Sequence, residues 1–289
     1  MWRMISSSFQ TGGGRCIAYN LYGDVAHFPV AFFHGLGGSR HSIAVDEGWL
    51  RQKQWSVVSF DRPGVGGSGP LPGYTLEQVA ADAAALVNHL GHQRCAAFGW
   101  SAGGPFAMAF AAAFPEMVDF LFLAGTALPI GDGKHRWWPA SSLQWMALGS
   151  RLFPLPAKLL FRFSARRHNR NPAAALAGAI ADSCPADHRL LHSPAMLSLF
   201  RQASDDAWGR GGYGPFCDAR ALGRRLFGCL EDIRIPVHLW RGEQDPLFSA
   251  AMAEKLAGRF SKATVHKVKE AGHLLYLQNL REILEVSLW

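Results

Sequence analysis

The chain predicts an α/β fold, a mostly parallel sheet with helices on both faces and a helical insert. Three observations point there. Short apolar runs alternate with helical stretches from residue 29 to 124 and again from 236 to 268. Runs that are apolar throughout, rather than alternating in and out, are what a sheet covered on both faces requires. Between residues 127 and 225 the rhythm breaks into Pro- and Arg-rich helical pieces with no strand pattern.

The elements follow in order. Residues 3–9 and 16–22 read as two strands, and Thr11-Gly12-Gly13-Gly14 between them supplies hairpin chemistry. Residues 29–33 form a short strand that runs into His34-Gly35-Leu36-Gly37-Gly38, and residues 55–60 form another that runs into Asp61-Arg62-Pro63-Gly64. Residues 75–90 are helical, with Leu76, Val79, Ala80, Ala83, Leu86, Val87 and Leu90 on one face. Thr75 is placed to cap this helix and Gly91 to end it. A strand at 95–98 precedes a small-residue helix at 105–114, and a strand follows at 118–124. Beyond the insert come a strand at 236–241, a helix at 249–260, a strand at 264–268 and a last helix that ends at Trp289. The predicted division is a core of residues 1–126 and 226–289, with an insert at 127–225 that holds Trp137, Trp138, Trp145 and Trp208.

Size and composition narrow the class. A chain of 289 residues with 49% hydrophobic content has enough apolar surface for one large core. Five cysteines, odd in number and without metal-ligand spacing, read as free thiols in a reducing, cytoplasmic setting. The first ten residues lack the pattern of a secretion signal, and no apolar run is long enough to span a bilayer. The net charge of +7 is concentrated: residues 127–225 hold 14 Lys+Arg against 6 Asp+Glu, and the remainder of the chain is close to neutral. A basic helical surface is commonly just solvated. Attraction of an anionic substrate or an anionic membrane is the functional alternative. No nucleic-acid-binding module is recognisable, and nothing in the pattern sets an oligomeric state.

Gly99-Trp100-Ser101-Ala102-Gly103 lies where a strand passes into a helix. Glycines on both sides of a serine permit a cramped turn that aims the hydroxyl outward, and the new helix offers free N–H groups beside it. A serine hydroxyl is a weak nucleophile without a base, and the base needs an orienting acid. Histidine suits the base, since its unperturbed pKa is about 6.5. Of twelve histidines, His273 stands in the loop between the last strand and the last helix, at the same sheet edge as Ser101. His34 reads as a brace for its turn, His266 as a strand residue, and His41, His89 and His92 as surface positions. Asp245 follows the strand at 236–241 and is the favoured acid, with Glu243 as its rival; Gly125-Thr126-Ala127, after the preceding strand, offers no carboxylate. The N–H groups of Ala102 and Leu36 are the candidate donors to a developing oxyanion. Trp100 and Leu274 flank these residues as candidate pocket walls, Trp100 with packing beneath the sheet edge as its other reading.

Taken with His34-Gly35-Leu36-Gly37, the run Asp61 to Ser68, Gly242-Glu243-Gln244-Asp245 and Gly272-His273, this pentapeptide resembles the α/β-hydrolase superfamily over nearly the whole chain. The resemblance implies an eight-stranded sheet, a helical cap after the sixth strand, and a nucleophile–acid–histidine triad of Ser101, Asp245 and His273. It makes the loop from Asp61 to Ser68 structural. Dehalogenases and epoxide hydrolases of this superfamily carry Asp where Ser101 stands, which disfavours both activities here. Proline iminopeptidases have a Trp after the serine and acidic cap residues, where this chain has Ala102 and a basic insert. Carbon–carbon hydrolases of aromatic degradation often have a Trp after the histidine, where this chain has Leu274. The expectation is a cofactor-free serine hydrolase acting on a small acyl substrate, an ester, thioester or lactone. A carbon–carbon hydrolase and a slow or non-catalytic ligand receptor are the alternatives.

Overall fold

Apolar strands place the sheet at the centre of the molecule. The computed structural model describes residues 4–134, 141–181 and 183–286, so Arg3, Trp137, Trp138 and Trp289 lie outside the described residues. The strands are β1 (Ile5–Gln10), β2 (Cys16–Tyr22), β3 (Phe28–Phe33), β4 (Trp55–Phe60), β5 (Cys95–Trp100), β6 (Val118–Ala124), β7 (Val237–Gly242) and β8 (Ala263–Val268). They form one eight-stranded sheet in the order β1-β2-β4-β3-β5-β6-β7-β8. β1 and β2 pair antiparallel, as do β2 and β4, and every later pair is parallel. β4 and β5 are buried along their whole length, which explains why neither alternates in polarity.

Helices cover both faces. α1 (Glu47–Lys53) joins β3 to β4, and its seven residues are too few to show an amphipathic period in sequence. α2 (Leu76–His89) begins at the capping box formed by Thr75 and Gln78, and Gly91, at φ +86°, ends it. α3 (Gly104–Ala113) follows β5 and packs on α2 and the sheet. Beyond the insert, α10 (Ala250–Ala257) joins β7 to β8, and α11 (Tyr276–Glu285) closes the described chain.

Between β6 and β7 the described residues hold six α-helices and no strand: α4 (Ser142–Leu152), α5 (Pro154–Arg170), α6 (Pro172–Ala181), α7 (Pro185–Leu191), α8 (Pro194–Trp208) and α9 (Tyr213–Leu222). The order of the sheet also sets where a site can form. The chain leaves β3 towards β4 on one side, then crosses back to β5 on the other, so a crevice opens at the carboxyl ends of β3 and β5. Phe33 of β3 lies level with Gly99 of β5, which sets the loops after both strands side by side.

Candidate active site

Ser101 stands at the carboxyl end of β5 with φ +52°, a left-handed conformation that a residue with a side chain adopts at a cost of about 1–2 kcal/mol. The turn is held by close backbone packing. A Cβ on Gly103 would overlap the carbonyl oxygen of Phe33, so only glycine lets the start of the helix press against the end of β3. Ser101 is half-buried, whereas the Ala102 side chain is fully buried beneath it.

His273 and Asp245 reach this serine from two other loops. The Nε2 of His273 lies 2.9 Å from Ser101 Oγ, and its Nδ1 lies 3.0 Å from Asp245 Oδ2. Asp245 Oδ1 accepts the N–H groups of Leu247 at 2.8 Å and Phe248 at 3.0 Å, so the acid is oriented by its own loop. Because Asp245 accepts at Nδ1, that nitrogen carries the imidazole proton and Nε2 is left to accept from the serine hydroxyl. The rival acid, Glu243, is exposed and pairs with Lys267. Gly125, at φ +50°, explains why no side chain follows β6. A Cβ there would lie 3.0 Å from His273 Nδ1 and 3.1 Å from Asp245 Oδ2, against the bond that joins them.

The loop carrying Leu36 lies against the serine: a Cβ on Gly35 would come within 3.3 Å of Ser101 Cβ. Its carbonyls are tied down from below. Buried Arg62 donates to the carbonyl oxygens of His34 at 2.6 Å and Gly35 at 3.2 Å. The same guanidinium donates through Nε and Nη2 to Asp218 of α9 at 2.8 and 2.6 Å, and Tyr74 Oη also donates to Asp218. The Asp61 to Ser68 loop is thus structural: its arginine fixes the backbone next to Leu36. His34 braces the turn, its Nδ1–H donating to the Gly35 carbonyl at 2.9 Å. Burial, reinforced by the Arg62 charge, holds its imidazole well below the ordinary value.

Trp100 is buried against Tyr276 and Phe200 and donates its indole N–H to the His273 carbonyl at 3.0 Å. It therefore packs under the edge and supports the histidine loop. Leu274 is buried beside it.

The inserted helices supply residues that sequence reasoning missed. Asp187 of α7 is buried and accepts the N–H of His273 at 2.8 Å and of Leu274 at 3.0 Å. Asp206 of α8 accepts from Ser39 at 3.1 Å and meets His41 Nδ1 at 2.7 Å. Burial pushes the Asp206 carboxyl up, but His41 and Arg40 outweigh it and hold the group below the usual range. His41, expected at the surface, is only 8% exposed, because the insert covers it. Three insert carboxylates, Asp187, Asp206 and Asp218, thus turn inward onto core loops. Among the described residues no group of three or more His, Cys, Asp or Glu side chains is fit to hold a metal ion.

Residues 29–280 match the family described as alpha/beta hydrolase fold. The chain is 27% identical over 247 residues to a 3-oxoadipate enol-lactonase of Acinetobacter baylyi, covering 85% of this chain and 82% of that protein. An enol-lactonase from Burkholderia xenovorans superposes with a TM-score of 0.70 at 20% identity, over 98% of each chain. The epoxide hydrolase CorEH superposes with a TM-score of 0.74 at 18% identity, over 99% of this chain and 98% of that one. Likenesses this distant carry the fold, and the two solved enzymes bear different activities on it.

Proposed function

We propose that this chain, which belongs to the α/β-hydrolase fold family, is a serine hydrolase of carboxylic esters, with thioesters and lactones open to the same acyl chemistry. The observation that carries the reading is the continuous relay from Ser101 through His273 to Asp245, at 2.9 and 3.0 Å. In this reading Ser101 Oγ attacks the acyl carbon while His273 Nε2 takes its proton. The tetrahedral oxyanion is held by the N–H groups of Ala102 and Leu36. His273 then protonates the leaving alcohol, and the acyl group stays on Ser101. Water, deprotonated by His273, attacks the acyl-enzyme and releases the acid. Asp245 keeps the imidazole in the tautomer that can accept and stabilises the imidazolium. The enol-lactonases among the relatives favour a place for lactones, which are internal esters.

Ser101→Ala is the test. Hydrolysis of a short p-nitrophenyl ester should fall by at least about a thousandfold, with circular dichroism unchanged, and a fluorophosphonate probe should label the parent and not the variant. Full activity in the variant removes Ser101 from the mechanism. An unlabelled, inactive parent points instead to a ligand receptor.

A further inference from the structure

The inserted helices carry a second surface with chemistry of its own. α5 turns Phe161, Ala165 and His168 inward. Phe161 stacks on Trp208 with ring centroids 6.1 Å apart, and Trp208 in turn lies against Gly37. The inner face of α5 is therefore one side-chain layer from the loop that carries Leu36.

The outer face divides along its length. Its first half, with the end of α4, presents Leu152, Phe153, Leu155, Leu159 and Leu160 to solvent, and Phe163 follows among the arginines, each at least 60% exposed. Its second half exposes Arg162, Arg166, Arg167 and Arg170, and Lys158 lies among the leucines. α5 contains no Asp or Glu, and none of these five cations has an acidic partner among the described residues. Of the insert's described acids, Asp187, Asp206 and Asp218 face core loops, Asp132 pairs with Arg259, and Asp205 pairs with His168 and Arg201 rather than with these cations. The insert's surplus of positive charge thus lies outward, beside an apolar strip.

We propose that α5 docks in the plane of an anionic bilayer. Leu155, Leu159 and Phe163 enter the boundary between headgroups and acyl chains, and the arginines lie over lipid phosphates. Among the described residues no helix is long and apolar enough to cross a membrane, which fits a helix that lies on the surface. Charge complementarity favours the bilayer over a second copy of the chain, because a copy brings the same unpaired arginines to the contact. An exposed apolar strip of this extent marks an interaction site rather than ordinary surface.

The test is co-sedimentation of the full chain with phosphatidylcholine vesicles, with and without phosphatidylserine, at low and high salt. Binding should be at least about tenfold stronger on the phosphatidylserine vesicles at low salt than in either of the other conditions. The triple variant Arg166→Gln, Arg167→Gln, Arg170→Gln should lose about tenfold on those vesicles, and Leu159→Ser with Phe163→Ser should lose a similar factor. Both should keep the parent's thermal unfolding and its ester hydrolysis in vesicle-free buffer. Absence of binding to the anionic vesicles, indifference to lipid charge and salt, or parental binding by both variants overturns the proposal. So does a dimer that the α5 variants dissociate in sedimentation velocity, since the face would then belong to a second copy.

Discussion

Replacing Asp187 by asparagine separates a residue that positions the histidine loop from one that merely attaches the insert. The carboxylate of Asp187 takes two backbone N–H groups, one on each oxygen: His273 at 2.8 Å and Leu274 at 3.0 Å. Asparagine has the same shape but one oxygen. Its NH2 group must face one of those two donors, and the bond that survives loses its charge. Losing the charge weakens the surviving bond by about 1 kcal/mol, and the stranded buried donor costs about 1–3 kcal/mol, so the combined loss is about 2–4 kcal/mol. At about 2–4 °C per kcal/mol for a domain approaching this size, the midpoint of thermal unfolding should drop by roughly 4–16 °C. The N–H that loses its acceptor belongs to His273 or its neighbour, so the imidazole shifts relative to Ser101. A displacement on the order of 1 Å costs about a hundredfold in rate, and a tenfold to hundredfold fall in kcat, with little change in KM, is expected here. The measurements are differential scanning calorimetry and steady-state ester hydrolysis, at a temperature where both proteins are folded. A midpoint within about 1 °C of the parent would refute the energetic argument. A large drop in stability with kcat intact would refute the positioning role.

Three further outcomes follow from the geometry. Gly125→Ala should lower stability by about 1–2 kcal/mol through its left-handed backbone and reduce kcat, since the new methyl presses on the His273–Asp245 bond; parental kcat would show that this bond has room to spare. Asp218→Ala should cost about 3–5 kcal/mol in chemical denaturation, because it leaves the buried Arg62 guanidinium without its carboxylate; a loss below about 1 kcal/mol would mean the pair is dispensable. Acid should destabilise the fold through His34, whose Nε2 is buried with no hydrogen-bond partner among the described residues and whose native pKa is held below the unfolded value of about 6.5. The unfolded chain binds the extra proton first, so this contribution is complete above pH about 6.5 and declines as pH falls toward the native value, at up to about 1.4 kcal/mol per pH unit. Urea titrations from pH 7 to 5 should show a slope that His34→Asn reduces, and an unchanged slope in that variant would rule His34 out.

What could be read from the chain alone was whatever local rules decide. β4 and β6 have the predicted bounds, residues 55–60 and 118–124, because a strand that is wholly or mostly buried announces itself by composition. Thr75 and Gly91 frame α2 because caps answer to the backbone next to them. The turn at Ser101 was legible for the same reason, and the loops at Asp245 and His273 followed once strand order implied a shared edge. What only the tertiary structure decided is which distant groups meet there. His41 faces Asp206 across 165 residues, Arg62 meets Asp218 across 156, and Asp187 holds His273 across 86. An aspartate on an amphipathic helix looks the same in sequence whether it faces water or a buried amide. Its partner is set by how the insert settles on the sheet edge, and that is determined by packing summed over many side chains rather than by any short pattern.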